Sequence, residues 1–314
     1  MHMETNIFRP KCLEEFIGQE NVISNLNVFV QSAKKRNKSL DHILIYGSSG
    51  LGKTSLGYLV SNIMNKKIYI LNGPSLQKPS DIISPLTSLK ENEILFIDEV
   101  HSVSKEVFEV LYPVLEDNKL NIIVGKEYNS KVVNIKIPNF TLIGATTEIN
   151  KLSVPFVNRF PISFHFQHYS EKEIAKILKI NCEKLNIKLN DEILEYISKY
   201  CQNTPRVAIN LLKRIYDYLI VLEHDQININ SIKQIFNKLE IFELGLNSQE
   251  VNYLKLLQEH NHLGIETIQQ VLGLQQQIII KNIEPILIRN FLIEKTIKGR
   301  KITVKGKEWL KNNT

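Results

Sequence analysis

The residues best suited to chemistry lie in the run GSSGLGKT, which fits the pattern G-x-x-x-x-G-K-[ST] through Gly47, Gly50, Gly52, Lys53 and Thr54. Glycines at that spacing let backbone N–H groups turn inward around phosphate oxygens, and a helix starting at the Lys-Thr pair points its partial positive charge at them. Lys53 then reaches the β- and γ-phosphates of ATP, Thr54 offers its hydroxyl to Mg²⁺, and Ser55 continues the first turn. A chance glycine turn can share the pattern, so context decides. The run follows HILIY and precedes SLGYLV, a strand and then a helix.

Further along, ILFIDEVH places Asp98 and Glu99 at the C-terminal end of a buried strand, the edge of a parallel sheet where α/β proteins bind ligands. Asp98 suits support of Mg²⁺ through its water shell. Glu99 suits orienting and deprotonating the water that attacks the γ-phosphate. Alone, the pair reads equally as a cap for the next helix, and the upstream phosphate loop favours the catalytic reading. His101 finds no metal-ligand partners in the sequence and reads as a supporting or capping side chain. Thr146 and Thr147 close the strand FTLIGA, where a hydroxyl can meet the γ-phosphate or the nucleophilic water; a strand-end turn is the alternative. In isolation, Arg159 in VNRF and Arg206 in NTPRVAI read as solvated charges.

These groups need a scaffold. The short apolar runs HILIY, KIYIL, ILFID and FTLIGA, separated by helical patterns between about residues 42 and 146, imply a parallel sheet covered on both faces. Leu120 to Ile137, with two β-prone arms around a polar tip, reads as a hairpin whose alternative is to extend the sheet. After Tyr169 the periodicity shifts to 3.6 residues, predicting helices over Glu171 to Leu185, Asp191 to Cys201 and Arg206 to Leu222, the first opened by a capping box of Ser170 and Glu173. From about Gln249, three short helical patterns, the runs FLIEK and RKITV around a basic TIKG turn, and a last helix through Trp309 suggest a winged helix-turn-helix. The expected domains are 1–169, 170–243 and 244–314.

A chain of 314 residues exceeds one ordinary core. Its 39 Lys and Arg against 33 Asp and Glu give a formal +6, a mild preference for an anionic partner. Cys12, Cys182 and Cys201 fit neither a metal-ligand spacing nor a disulfide framework and read as packing residues in a reducing compartment. Neither a membrane-span run nor a signal-peptide core is visible, so a cytoplasmic location is expected.

Taken together, the motifs resemble the RuvB family, hexameric AAA+ motors that drive Holliday-junction branch migration, and they do so almost end to end. The resemblance rests on FRPKCLEEFIGQENV, LDHILIYGSSGLGKTSL, LFIDEVH, LYPVLED, the hairpin with IIVGK, FTLIGATT, NTPRVAINLLKR and EPILIRNFLIEKTIKGRKIT. It implies an α/β AAA+ P-loop ATPase domain, a small helical lid and a C-terminal winged-helix domain. It further implies that Phe8, Arg9, Phe16 and Ile17 border the adenine and that Tyr169 lines the nucleotide site near the lid hinge. In the same reading Thr146 is sensor 1, Arg206 approaches the phosphates from the lid, and Arg159 is an arginine finger given in trans to a neighbour's ATP in a homo-hexamer. The hairpin 120–137 then docks on RuvA, within an assembly that extends to RuvC. Lys295, Lys298, Arg300 and Lys301 meet DNA phosphates, a contact that positions without reading sequence.

Several positions depart from the family. GSSG stands where GPPG is usual, Glu148 replaces a basic residue, Val157 replaces a second arginine, and lysines replace wing arginines, keeping attraction but losing bidentate geometry. Two rival readings stay open on residues alone. One is another AAA+ machine, such as a clamp-loader subunit or replication initiator; the other is a nucleotide-gated scaffold that hardly hydrolyses ATP.

Overall fold

A computed structural model describes residues 5–124, 131–222, 227–260 and 262–313. The chain divides into two compact units, Met1–Tyr169 and Ser170–Thr314. Among the described residues no helix is long and apolar enough to cross a membrane.

In the first unit α1 (Glu20–Arg36) precedes β1 (Ile43–Tyr46), α2 (Lys53–Met64), β2 (Ile68–Asn72), α3 (Pro79–Ser88), β3 (Ile94–Asp98) and α4 (Lys105–Asp117). There follow β4 (Lys119–Val124), β5 (Lys131–Lys136), β6 (Thr141–Thr146), the short α5 (Val154–Val157) and β7 (Ile162–His165). Five strands form a sheet in the order β2-β3-β6-β1-β7, every neighbouring pair parallel. Parallel strands need helical crossovers that cover both faces, which is why inner strands are apolar throughout. β6 is buried at every position and β3 at all but its last.

The edges differ from the sequence expectation. KIYIL was expected to be buried on both faces, yet β2 is an edge strand and Ile70 is 39% exposed. β7 was not expected at all; its ISFH alternates buried and exposed positions, the pattern of an edge. Register then fixes the site. Tyr46 lies opposite Thr146 and Ile97 opposite Gly144, so the loops leaving β1, β6 and β3 emerge at one edge of the sheet.

The hairpin forms its own two-stranded sheet, with Leu120 opposite Ile135, and does not extend the main one. Leu120 and Ile137 are buried at its base, whereas Val133 and Ile135 are exposed. Its tip, 125–130, falls outside the described residues. α4 leads into this hairpin. Ser104 caps it by accepting the Val107 N–H, Val107, Leu111 and Val114 form its buried stripe, and Asn118 ends it in a left-handed conformation.

The second unit opens with α6 (Glu171–Lys184), α7 (Asp191–Ser198), α8 (Pro205–Leu222) and α9 (Ile229–Lys238), the last not anticipated. Ser170 and Glu173 form the expected capping box. Next come α10 (Ser248–Glu259), α11 (Ile265–Leu272), α12 (Gln276–Ile278), a π-helical turn (Ile279–Ile283), α13 (Glu284–Arg289), β8 (Ile293–Thr296), β9 (Gly299–Ile302) and α14 (Val304–Asn313). Pro285 accounts for the π turn, because it has no N–H to donate and its ring would strike the carbonyl one turn back. Tyr253, Leu254, Leu257, Ile268, Leu287, Leu292 and Trp309 make the core of this part. Cys182 and Cys201 are buried as expected, but Cys12 is only half-buried.

Candidate functional site

Beyond β1 the chain turns through Gly47, Gly50 and Gly52 with φ of 145°, 80° and 102°. A Cβ on Gly47 would lie 2.5 Å from the Phe166 carbonyl oxygen, so only glycine lets the loop leave the sheet beside β7. Lys53, the first residue of α2, is buried and donates to the carbonyls of Gly47 and Ser48 at 2.8 and 2.9 Å. Its ammonium is thereby arched over the loop, and Ser55 follows half-buried in the same turn. Thr54 Oγ1 donates to Asp98 Oδ2 at 3.0 Å, bringing the end of β3 against the start of α2. A hydroxyl and a carboxylate oxygen side by side suit Mg²⁺, which takes few protein ligands and completes its shell with phosphate oxygens and water. The residues fit that ion. Among the described residues no three His, Cys, Asp or Glu come together in a cluster able to hold a metal.

Glu99 follows β3 with φ 48° and ψ 47°, a left-handed conformation that costs a non-glycine residue about 1–2 kcal/mol. Gly73 makes room for the turn, since a Cβ there would stand 2.2 Å from the Glu99 carbonyl oxygen. The kink aims the carboxylate at the end of β6. Its Oε2 accepts the hydroxyl of Thr147 at 3.0 Å and the Thr147 N–H at 3.3 Å. His101 Nδ1 lies 3.3 Å from the same oxygen and 2.9 Å from Thr146 Oγ1, while Nε2 meets Glu148 at 3.1 Å. Glu148 also pairs with Lys151 at 2.5 Å.

Thr146 and Thr147 therefore divide between two environments. Thr146 is fully buried, bonded to His101 and accepting the Glu148 N–H at 3.0 Å, whereas the Thr147 hydroxyl reaches Glu99. Successive strand residues face opposite ways, so one position decides which hydroxyl meets the carboxylate.

Phe8 and Phe16 are buried, Ile17 and Arg9 half-buried. Phe16 meets Phe166 edge-on at 6.3 Å, and the Arg9 guanidinium lies 3.9 Å over the Tyr58 ring. Tyr169 is buried and donates to the Leu51 carbonyl at 3.0 Å; it and Phe16 stand over Gly52. Arg206 is the second residue of α8 and belongs to the second unit.

Arg159 is not the solvated charge that its local sequence suggests. Its Nη1 donates to the Pro155 carbonyl at 2.6 Å, its Nη2 to Glu116 at 3.0 Å, and its guanidinium stands 4.6 Å over the Tyr112 ring. Tyr112 is in turn 3.1 Å from Ser153, the cap of α5. Tyr112 and Glu116 were missed as site residues, although their spacing of four in LYPVLED puts them on one face of α4. Val157, where a second arginine was expected, packs against the core.

In the second unit the four basic residues of the wing differ in setting: Lys298 lies in the turn, Lys295 on β8 and Arg300 and Lys301 on β9, with Lys295 and Lys298 exposed and the other two half-buried. Arg300 turns inward and donates through Nε to the fully buried Glu284 at 2.7 Å. Lys295 reaches the same carboxylate at 2.5 Å, and Lys301 faces Glu294 at 3.8 Å. Lys298 stays exposed in the turn beside the fully exposed Ile297.

Three family models cover these parts in order. The Holliday junction DNA helicase RuvB P-loop domain matches residues 8–166, the RuvB AAA lid domain 169–242 and the RuvB C-terminal winged helix domain 243–311. The chain is 44% identical over 314 residues to the Holliday junction branch migration complex subunit RuvB of Ureaplasma parvum, covering 99% of each chain. It is 42% identical over 305 residues to the protein of that name from Mycoplasmopsis pulmonis, covering 96% of this chain and 97% of the relative. Among solved structures, a Thermotoga maritima RuvB described as a Holliday junction branch migration motor superimposes with a TM-score of 0.84 at 35% identity, covering 97% of this chain and 98% of that one. Matched along nearly its whole length in sequence and in fold, the chain belongs to the RuvB family.

Proposed function

We propose that the chain is a motor subunit that hydrolyses ATP to drive branch migration of Holliday junctions, acting on DNA together with RuvA. The observation that carries this reading is the meeting of three loops at one sheet edge, with Thr54 bonded to Asp98 and the Glu99 carboxylate held beside them by Thr147. ATP phosphates enter the glycine loop, where Lys53 turns from the loop carbonyls to the β- and γ-oxygens. Mg²⁺, held by Thr54 and Asp98, supplies charge neutralisation on those oxygens when bound. Glu99 orients a water, takes its proton as the water oxygen attacks the γ-phosphorus, and ADP leaves with the electrons of the bridging bond. Because its hydroxyl touches Glu99, Thr147 rather than Thr146 is assigned the task of relating that carboxylate to the γ-phosphate.

The finer parts of this reading follow the family. Phe8, Arg9, Phe16, Ile17 and Tyr169 border the nucleoside, Arg206 reaches the phosphates from the lid, and Arg159 completes a neighbour's site in a homo-hexamer. The domains divide at 1–169, 170–243 and 244–314. Exposed Val133 and Ile135 on the hairpin supply an apolar face for RuvA, and the assembly reaches RuvC in the cytoplasm. The test is ATP turnover with and without duplex DNA and RuvA. Stimulation by both is expected, with losses of about 10²–10⁴ for Glu99→Gln and about 10³–10⁵ for Arg159→Ala. Turnover indifferent to DNA and RuvA, or unchanged in both variants, overturns the motor reading.

A further inference from the structure

We propose that Glu284 is a positioning residue for DNA binding: it pairs with Lys295 and Arg300, one on each wing strand, so that the wing turn presents Lys298 to a duplex phosphate. This rests on the reading of the winged-helix domain as the DNA-binding part.

Lys295 and Arg300 lie directly opposite each other in the β8–β9 ladder. Like charges at such a pair repel and destabilise a hairpin, and a hairpin with strands of four residues is marginal by itself. Glu284 answers both problems. It is fully buried, and its Oε1 accepts the Tyr253 hydroxyl at 3.0 Å and Arg300 Nε at 2.7 Å. Lys295 Nζ meets Oε2 at 2.5 Å as an ion pair, off the axis of a hydrogen bond. Burial by itself raises the Glu284 pKa, but Arg300, Lys295 and Tyr253 beside its carboxylate outweigh it and hold the group below its usual range, ionised. One carboxylate thus ties α10, α13 and both wing strands together. A backbone pair between Leu263 and Arg300, at 3.0 and 2.8 Å, fixes β9 from its other edge.

The opposite face of the hairpin is also paired, Glu294 standing across from Lys301. Of the four basic residues, three therefore face a carboxylate. Lys298, exposed at the turn, makes no ion pair among the described residues. Its position is set by the hairpin, and the hairpin's by Glu284.

Simple electrostatics and positioning make opposite predictions. Deleting a carboxylate from a phosphate-binding domain strengthens binding if only charge matters. If Glu284 positions Lys298, deletion weakens it, because Arg300 loses its buried partner and the wing loses its anchor. The experiment titrates a short fluorescent duplex of arbitrary sequence with the full-length protein over a salt series, using wild type, Glu284→Gln, Lys298→Ala and the double variant. Glu284→Gln is expected to weaken binding about tenfold. Lys298→Ala is expected to lower the slope of log K against log salt by about 0.9 in wild type and hardly at all in the Glu284→Gln background. Should Glu284→Gln not fold, judged by thermal melting, Tyr253→Phe removes one donor while keeping the ring, and is expected to show the same coupling with a smaller loss. Equal or tighter binding by the Glu284 or Tyr253 variant, or a Lys298→Ala effect that adds in full, overturns the proposal. An inert Lys298→Ala in wild type instead overturns the assignment of the wing to DNA.

Discussion

At Glu99 the chemistry depends on a strained backbone and one hydroxyl. A carboxylate free to rotate would spend most of its time away from the attacking water, and the left-handed turn at Glu99 narrows that freedom before the Thr147 hydroxyl and N–H fix what remains. Thr147→Val removes the hydroxyl and keeps the shape. It should lower kcat about 10- to 100-fold with KM little changed, the signature of an interaction used in the transition state. Thr146→Val should act differently: it removes the buried hydroxyl that meets half-buried His101, so melting temperature falls while the kinetic constants of the folded protein move less. Equal kinetic losses in the two variants would count against this division of labour. Arg159 invites a similar contrast. Glu116 and the Pro155 carbonyl hold two edges of its guanidinium, and Glu116→Ala should slow ATP turnover without altering nucleotide affinity, which a nucleotide-binding titration beside the turnover assay checks.

Elements carry these residues, and their roles vary in how plainly the sequence declares them. Inner strands β1, β3 and β6 are apolar on both faces because helices cover both, so their presence in a parallel sheet and the loop after β1 could be read directly. β7 could not, since four alternating residues carry little local signal and its place depends on pairing with β1. Which of Thr146 and Thr147 faces Glu99 depends on register across the sheet, which no local pattern contains. Arg300 was out of reach for a related reason: RKITV reads only as a strand beside a basic turn, while the carboxylate that turns Arg300 inward lies 16 residues earlier, on a helix. Gly73 was also silent, and its demand appears only against Glu99. Gly73→Ala should destabilise the first unit by about 1–3 kcal/mol and reduce turnover together, as read by denaturant melts and ATPase rate. His42, at the mouth of β1, accepts the Leu142 N–H through Nδ1, and burial lowers its pKa from 6.5 to about 4. Its unfolded form therefore binds a proton that the folded form refuses. The stability held above about pH 6.5 should drain away as pH falls towards 4, at up to about 1.4 kcal/mol per unit, and His42→Asn should flatten that slope in thermal melts.

At the scale of the assembly the question is whether one chain holds a complete catalytic site. Lys53, Thr54, Asp98 and Glu99 converge within the first unit, but Arg159 is anchored on α4 and α5 by Glu116, Tyr112 and Pro155, none of which belongs to that loop. A guanidinium so held acts as a rigid projection, suited to a phosphate brought to it by a second copy. A ring of identical subunits arranged head to tail satisfies every site in this way, because each subunit offers its loop to one neighbour and its arginine to the other. Mixing two inactive variants tests this directly. Lys53→Ala subunits have a dead loop and a sound arginine; Arg159→Ala subunits have the reverse. With equal random mixing, about a quarter of interfaces, half times half, join a sound loop to a sound arginine. Turnover should therefore rise well above the sum of the separate variants and peak near equal proportions. Placing both substitutions in one chain and mixing it with wild type should lower turnover faster than dilution, as the square of the wild-type fraction, because a wild-type loop beside a double-variant neighbour lacks its arginine. Recovery absent from the first mixture, under conditions where both variants associate with wild type, would mean that Arg159 serves its own subunit and that hydrolysis does not require a neighbour's arginine.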